Sequence, residues 1–237
     1  MKKLIFIIIA ATFVLFSNTV NAADSRLVHV VYTVDTHGDT QGYLKVLKPL
    51  IDRVKQLSPK TVITVHEARY AGADTGAVYV IVEQPSLTYM DQLGPKIDND
   101  PEIQKLFPKL GEISTLKGVS LYMDRAPDQA RDMVKPIEIV YAVNTHGKTA
   151  EYLAATKKID ARFMALNKKA AVRVFESTYS GTEAGTILVV VQMPNLAYMD
   201  EEAARSGNDA ELMNLFTARE GLGATVESVS LMADITP

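Results

Sequence analysis

The sequence predicts an α+β protein made of two copies of one β-α-β-β-α-β unit. Three observations carry this. The 237-residue chain matches itself when shifted by 109 positions. The apolar pattern of each copy alternates between strand and helix periods in the same order. A sheet with helices on one face leaves its other face needing cover, which a second copy can supply. Val31-Tyr32 recurs as Val140-Tyr141, Thr36-His37-Gly38 as Thr145-His146-Gly147, and Tyr43-Leu44 as Tyr152-Leu153. The same shift carries Glu67 onto Glu176, Tyr70 onto Tyr179, and Tyr89-Met90-Asp91 onto Tyr198-Met199-Asp200. Roughly 30 of about 80 ungapped positions are identical, well above what composition alone produces. One inserted residue near 217–227 then moves the register, so that Ser120-Leu121 meets Ser230-Leu231 and Asp124 meets Asp234.

The first element, Val28 to Val34, is rich in β-branched residues and reads as a strand. Tyr43, Leu44, Leu47, Leu50, Ile51, Val54 and Leu57 recur at spacings of three and four, which predicts a helix over 40–57. Pro49 falls inside it; Lys158 holds that place in the second copy, so a kink is expected in the first only. Thr61 to Tyr70 and the nearly all-apolar Val78 to Val82 are strands joined by Gly72-Ala73-Asp74-Thr75-Gly76. Ser86, or Asn195 in the repeat, is a suitable N-cap for a second helix, and Asp100-Pro101-Glu102 restarts it. Gly118 to Met123 is the last strand. That order is the split β-α-β, or ferredoxin-like, sandwich. The expected architecture is two tandem ferredoxin-like units, 27–125 and 137–234, packed sheet to sheet, with a polar linker over 126–136.

The remaining segment is the N-terminus. Met1-Lys2-Lys3, an apolar run from Leu4 to Phe16, and small residues ending at Ala22 form a secretory signal peptide over residues 1–22, cleaved after Ala22. The run is shorter than the roughly 20 residues a membrane span needs. A periplasmic or secreted location follows, with no transmembrane segment after cleavage. The chain has no Cys, which excludes disulfides and thiolate metal sites. Its formal net charge is −3 with no basic cluster, which argues against nucleic-acid binding. With 47% hydrophobic and 22% charged residues, it reads as globular rather than disordered.

Strand, Gly-containing bend, helix with an early aromatic, Gly-turn-Gly, apolar strand and a helix broken at Asp-Pro-Glu together resemble the dimeric α+β barrel superfamily. NIPSNAP-like and antibiotic-biosynthesis-monooxygenase-like domains are members. The resemblance covers both repeats and implies an intramolecular version of that dimeric barrel. Some cofactor-free oxygenases of the superfamily use a Trp, and this chain has none. Haem-degrading members place a ligand His on a helix; no His here lies in a predicted helix.

Candidate site residues are polar side chains kept in both copies. His37 and His146 follow no backbone rule and could act as proton shuttles or as haem ligands, or hydrogen-bond within the turn. Glu67 and Glu176 each share a strand face with apolar residues. If that face lines the barrel, they could serve as general bases. A pairing with Arg53 or Arg162 is the structural alternative. Tyr32, Tyr43, Tyr141 and Tyr152 are candidate walls of a ligand cavity. No P-loop, dinucleotide fingerprint, nucleophile elbow or zinc motif is present, so no metal is expected; no cofactor is expected either, and haem has no supporting motif. The favoured expectation is a pseudo-dimer that binds a small apolar or aromatic molecule, or a protein partner, without catalysis. The alternative is a cofactor-independent oxygenase or isomerase using the repeated His or Glu. The sequence leaves further oligomerisation open.

Overall fold

A computed structural model describes residues 27–125, 136–167, 169–179 and 185–237. The expected signal peptide and nearly all of the expected 126–136 linker lie outside these residues. The first half runs β1 (Val28–Asp35), α1 (Thr40–Leu57), β2 (Val62–Tyr70), β3 (Val78–Gln84), α2 (Leu87–Asp98), α3 (Pro101–Ile113) and β4 (Thr115–Asp124). The second runs β5 (Ile137–Asn144), α4 (Thr149–Leu166), β6 (Ala171–Tyr179), β7 (Ile187–Met193), α5 (Leu196–Gly207), α6 (Ala210–Glu220) and β8 (Thr225–Asp234).

All eight strands close one antiparallel barrel in the order β1-β3-β2-β8-β5-β7-β6-β4. The sheets therefore do more than face each other. They also join edge to edge, β2 to β8 (His66↔Asp234) and β4 to β6 (Met123↔Glu176), each seam carrying a bulge. Closure removes the open edges that would otherwise invite aggregation.

Side-chain alternation then sorts every strand into an outer, helix-facing set and an inner set. Val34, Ile63, Val65, Val78 and Val80 point outward and pack with Tyr43, Leu47 and Ile51 of α1 and Ile103 of α3. Burying a side chain such as Val65 completely contributes about 1.5–3 kcal/mol. In the second half Val143, Val172, Val174, Ile187 and Val189 pack with Tyr152, Ile159 and Phe163 of α4 and Leu212 of α6. The inner set includes Tyr122, Phe175 and Val190.

Local signals fix the helix boundaries. Asp39 caps α1 by accepting from the Gly42 N–H at 2.8 Å. A Cβ at Gly42 would stand 2.1 Å from that carboxylate, so the glycine and the cap depend on each other. In α4 the equivalent residues are Lys148 and Glu151, and there is no side-chain cap. The Thr36 and Thr40 hydroxyls bond each other. Ser86 and Asn195 cap α2 and α5, as the sequence predicts, and Asp100 and Asp209 cap α3 and α6.

Candidate functional site

The repeated histidines sit in the turns between β1 and α1 and between β5 and α4. Both adopt left-handed backbone, His37 at φ 53° and His146 at φ 48°, followed by Gly38 and Gly147 at 86° and 85°. The His37 N–H donates to Asp35 Oδ1 at 2.9 Å, and its Nε2 lies 3.0 Å from Thr115 Oγ1. His146 repeats both contacts with Asn144 and Thr225, at 2.9 and 3.1 Å. Each imidazole is exposed and ties its turn to the start of β4 or β8. The His37 N–H and then Lys117 hold the Asp35 carboxyl below the usual range.

Glu67 shares its strand face with Ile63 and Val65, which pack under the helices. The face is therefore the outer one, not the barrel lumen. Arg53 and Arg162, offered as partners for the glutamates, instead bind Asp100 at 2.7 Å and Asp209 at 2.6 Å, joining α1 to α3 and α4 to α6. Glu67 lines an open cleft of about 420 Å³ at the β2–β8 seam. Ile137, Leu196, Leu231 and Met232 form its apolar wall, and Arg69 and Tyr70 also line it. Arg69 Nε is 3.9 Å from Glu67 Oε2. Glu176 lies in the equivalent place but is clamped by the Arg125 guanidinium. The Arg125 N–H bonds Val174 O just as the Ile235 N–H bonds Val65 O, so Ile235 is the counterpart of Arg125. An isoleucine in place of an arginine leaves one glutamate of the pair without that cap.

The four tyrosines lie between sheet and helices. Tyr32 and Tyr43 belong to the first core, and Tyr141 and Tyr152 to the second. Burial pushes the Tyr32 phenol up to about 12 and raises the other three. None of the four lines the Glu67 cleft.

The barrel lumen holds a polar cluster that retained pairs do not reveal. Arg173 of β6 donates to Asp124 Oδ2 at 2.7 Å and Glu83 Oε2 at 3.2 Å, and its Nη2 is 3.1 Å from His29 Nε2. The guanidinium also stacks 5.0 Å from the Phe175 ring. Burial, and then Arg173, lowers the His29 pKa well below its ordinary value, so the imidazole stays neutral and accepts. Across the lumen Gln192 donates to Glu138 at 2.7 Å, and His66 Nδ1 stands 3.2 Å from Glu138 Oε2, poorly aligned for a hydrogen bond. The repeat shift equates His29 with Glu138 and His66 with Phe175, so a search for matching pairs passes over them. Strand parity is the signal that finds them: His29, Glu83 and Arg173 occupy inward positions of otherwise apolar strands.

No group of three or more His, Asp or Glu suited to a metal occurs among the described residues. A histidine-ligated haem does not fit them either. His29 and His66 are engaged inside the barrel, His37 and His146 close turns, and no histidine lines the Glu67 cleft.

No family model and no curated protein matches the chain. Solved structures do match its fold. A candidate monooxygenase from Lactobacillus acidophilus superposes with a TM-score of 0.62 at 10% identity, covering 90% of this chain and 94% of that one. An anthrone oxidase-like protein gives 0.55 at 15% identity, covering 91% and 94%. A mutant chlorite dismutase from Candidatus Nitrospira defluvii gives 0.53 at 12% identity, covering 89% and 91%. The protein is thus an α+β barrel of the kind seen in monooxygenase-like and chlorite dismutase-like structures. The sequence favours binding without catalysis. That expectation is corrected: the solved structures that share this fold carry the names of enzymes.

Proposed function

We propose that the chain is an exported, cofactor-independent oxygenase or isomerase with Glu67 as its general base. The observation that carries this reading is the open, largely apolar cleft in which Glu67 and Arg69 stand together while the twin glutamate is closed by Arg125. The tripartite N-terminus supports export. The 109-residue self-match, together with the like pairing of β1–β4 and β5–β8, supports origin by tandem duplication of a ferredoxin-like unit. Divergence then left Glu67 without the arginine that clamps Glu176.

Glu67 takes a proton from a phenolic O–H or an activated C–H, and the Arg69 guanidinium faces the anion that forms. Apolar walls limit hydration of that anion, which strengthens the Arg69 attraction. An isomerase returns the proton to a second carbon with no net redox change. In an oxygenase the carbanion reduces dioxygen by forming a C–O bond, and the resulting hydroperoxide breaks its O–O bond to leave a carbonyl on the substrate and release water. The anthrone oxidase-like and monooxygenase-like neighbours favour the second course. General-base catalysis supplies about 10²–10⁴-fold.

Oxygen uptake with a panel of phenols, quinols and anthrone tests the proposal. Glu67→Gln should lower kcat/KM by about 10²–10⁴-fold. Glu176→Gln and the double change His37→Ala, His146→Ala should leave turnover within about twofold of the parent, since these groups lie outside the cleft. Full turnover in Glu67→Gln, or equal loss in Glu176→Gln, would refute it.

A further inference from the structure

Exposed apolar residues are not scattered evenly over this molecule. Among the described residues six large hydrophobic side chains are strongly exposed. Tyr70 and Leu196, at 72% and 49%, line the Glu67 cleft itself. Val226 and Val229, at 56% and 53%, stand on β8. Leu231 of the same strand lines the cleft, and Val229 shares its face two residues on. The bulge that pairs Val143 with Val226 and Ala142 with Ser228 brings Val226 back to that outer face. Leu231, Val229 and Val226 therefore form one apolar strip leading out of the cleft, roughly 16 Å long at about 3.3 Å per residue.

β2 pairs with β8 only as far as Tyr70↔Leu231, and β4 with β6 only as far as Leu121↔Tyr179, so β8 and β4 extend equally beyond their seams. In the first half, the equivalent Val119 and Leu121 are covered, packing with Val28, Leu87, Met90 and Met123. In the second half Leu196 and Val229, the counterparts of Leu87 and Val119, are exposed instead, while Ile137, Ile139 and Met199 pack into the second core.

We propose that the cleft takes an amphipathic substrate: a phenol or enol head at Glu67 and Arg69, with an unbranched apolar tail lying along Leu231, Val229 and Val226. The commitment to this occupant rests on charge and continuity. A carboxylate next to a guanidinium accepts a proton and faces an anion, which suits an acidic head, and the strip runs directly from that pair. The inference rests on the Glu67 reading for the head and on β8 alone for the tail.

Equilibrium binding of para-propyl, para-hexyl and para-nonyl phenol separates the two. Affinity should rise about two- to fourfold for each added methylene that the strip covers. Val226→Asn with Val229→Asn should flatten this dependence, and Val226→Thr with Val229→Thr, which keeps strand propensity, should reduce it. Glu67→Gln should keep the dependence, because the tail contact is independent of the base. A flat series in the parent protein, or a series unchanged in the β8 variants, would overturn the tail site. Glu67 would still be judged by its turnover of short phenols. A dimer that dissociates in the β8 variants would assign the strip to a second copy of the chain and likewise overturn the proposal.

Discussion

Asp160 shows how one substituted residue changes a stability curve. It stands on α4 where the first half has Ile51, and both side chains are almost fully buried. Burial, opposed in part by Arg219, lifts its carboxyl to about 7. A raised acid holds its proton longer in the fold than in the unfolded chain. Stability is therefore present below the unfolded value of 3.8 and is lost as pH rises towards about 7. Asp160→Asn should flatten the fall in thermal stability between pH 5 and 8 and gain roughly 2–4 kcal/mol at pH 8. Calorimetry at the two pH values checks this; an unchanged slope would place the carboxyl in water. Nothing in the α4 periodicity marks this residue except its match to Ile51, so its burial was legible only by comparing the copies.

The turn after β1 and β5 is the element that the sequence flags most strongly. Thr-His-Gly is retained because two consecutive residues must enter left-handed backbone, and the His ring then bridges to β4 or β8. Glycine at the second position carries φ values near 85° without a Cβ penalty. Histidine is tolerated at the first, where a β-branched residue is strongly disfavoured. His37→Val should therefore cost about 1–3 kcal/mol in urea denaturation, while His37→Gly should cost less than 1. Equal costs for the two would mean that the ring contact with Thr115, not the backbone angle, is what matters. The repeat itself was plain in the sequence; whether its histidine faced a cavity or a neighbouring strand was not, because one residue of loop rotation decides it.

At the scale of the whole molecule, Arg173 binds the halves from inside. It belongs to β6, yet its partners His29, Glu83 and Asp124 all belong to the first half. Removing the cation leaves acidic groups facing one another in the lumen. Arg173→Met should cost about 3–5 kcal/mol in equilibrium unfolding, and adding Glu83→Gln with Asp124→Asn should recover part of it. A loss under about 1 kcal/mol would show that the lumen admits enough water to screen the cluster. Edge closure at β2–β8 and β4–β6 gives the same coupling through the backbone.

The sequence alone determined the elements and their order, because periodicity and capping are local and act within about one helical turn or one strand. It also supplied the retained glutamates. Only the tertiary structure decided that the two sheets close edge to edge, that Glu67 faces outward into a cleft, and that Arg125 pairs with Glu176 while Ile235 takes the equivalent place in the other seam. Those outcomes depend on which residues from distant strands meet, and pairing across a seam leaves no period in either strand by itself.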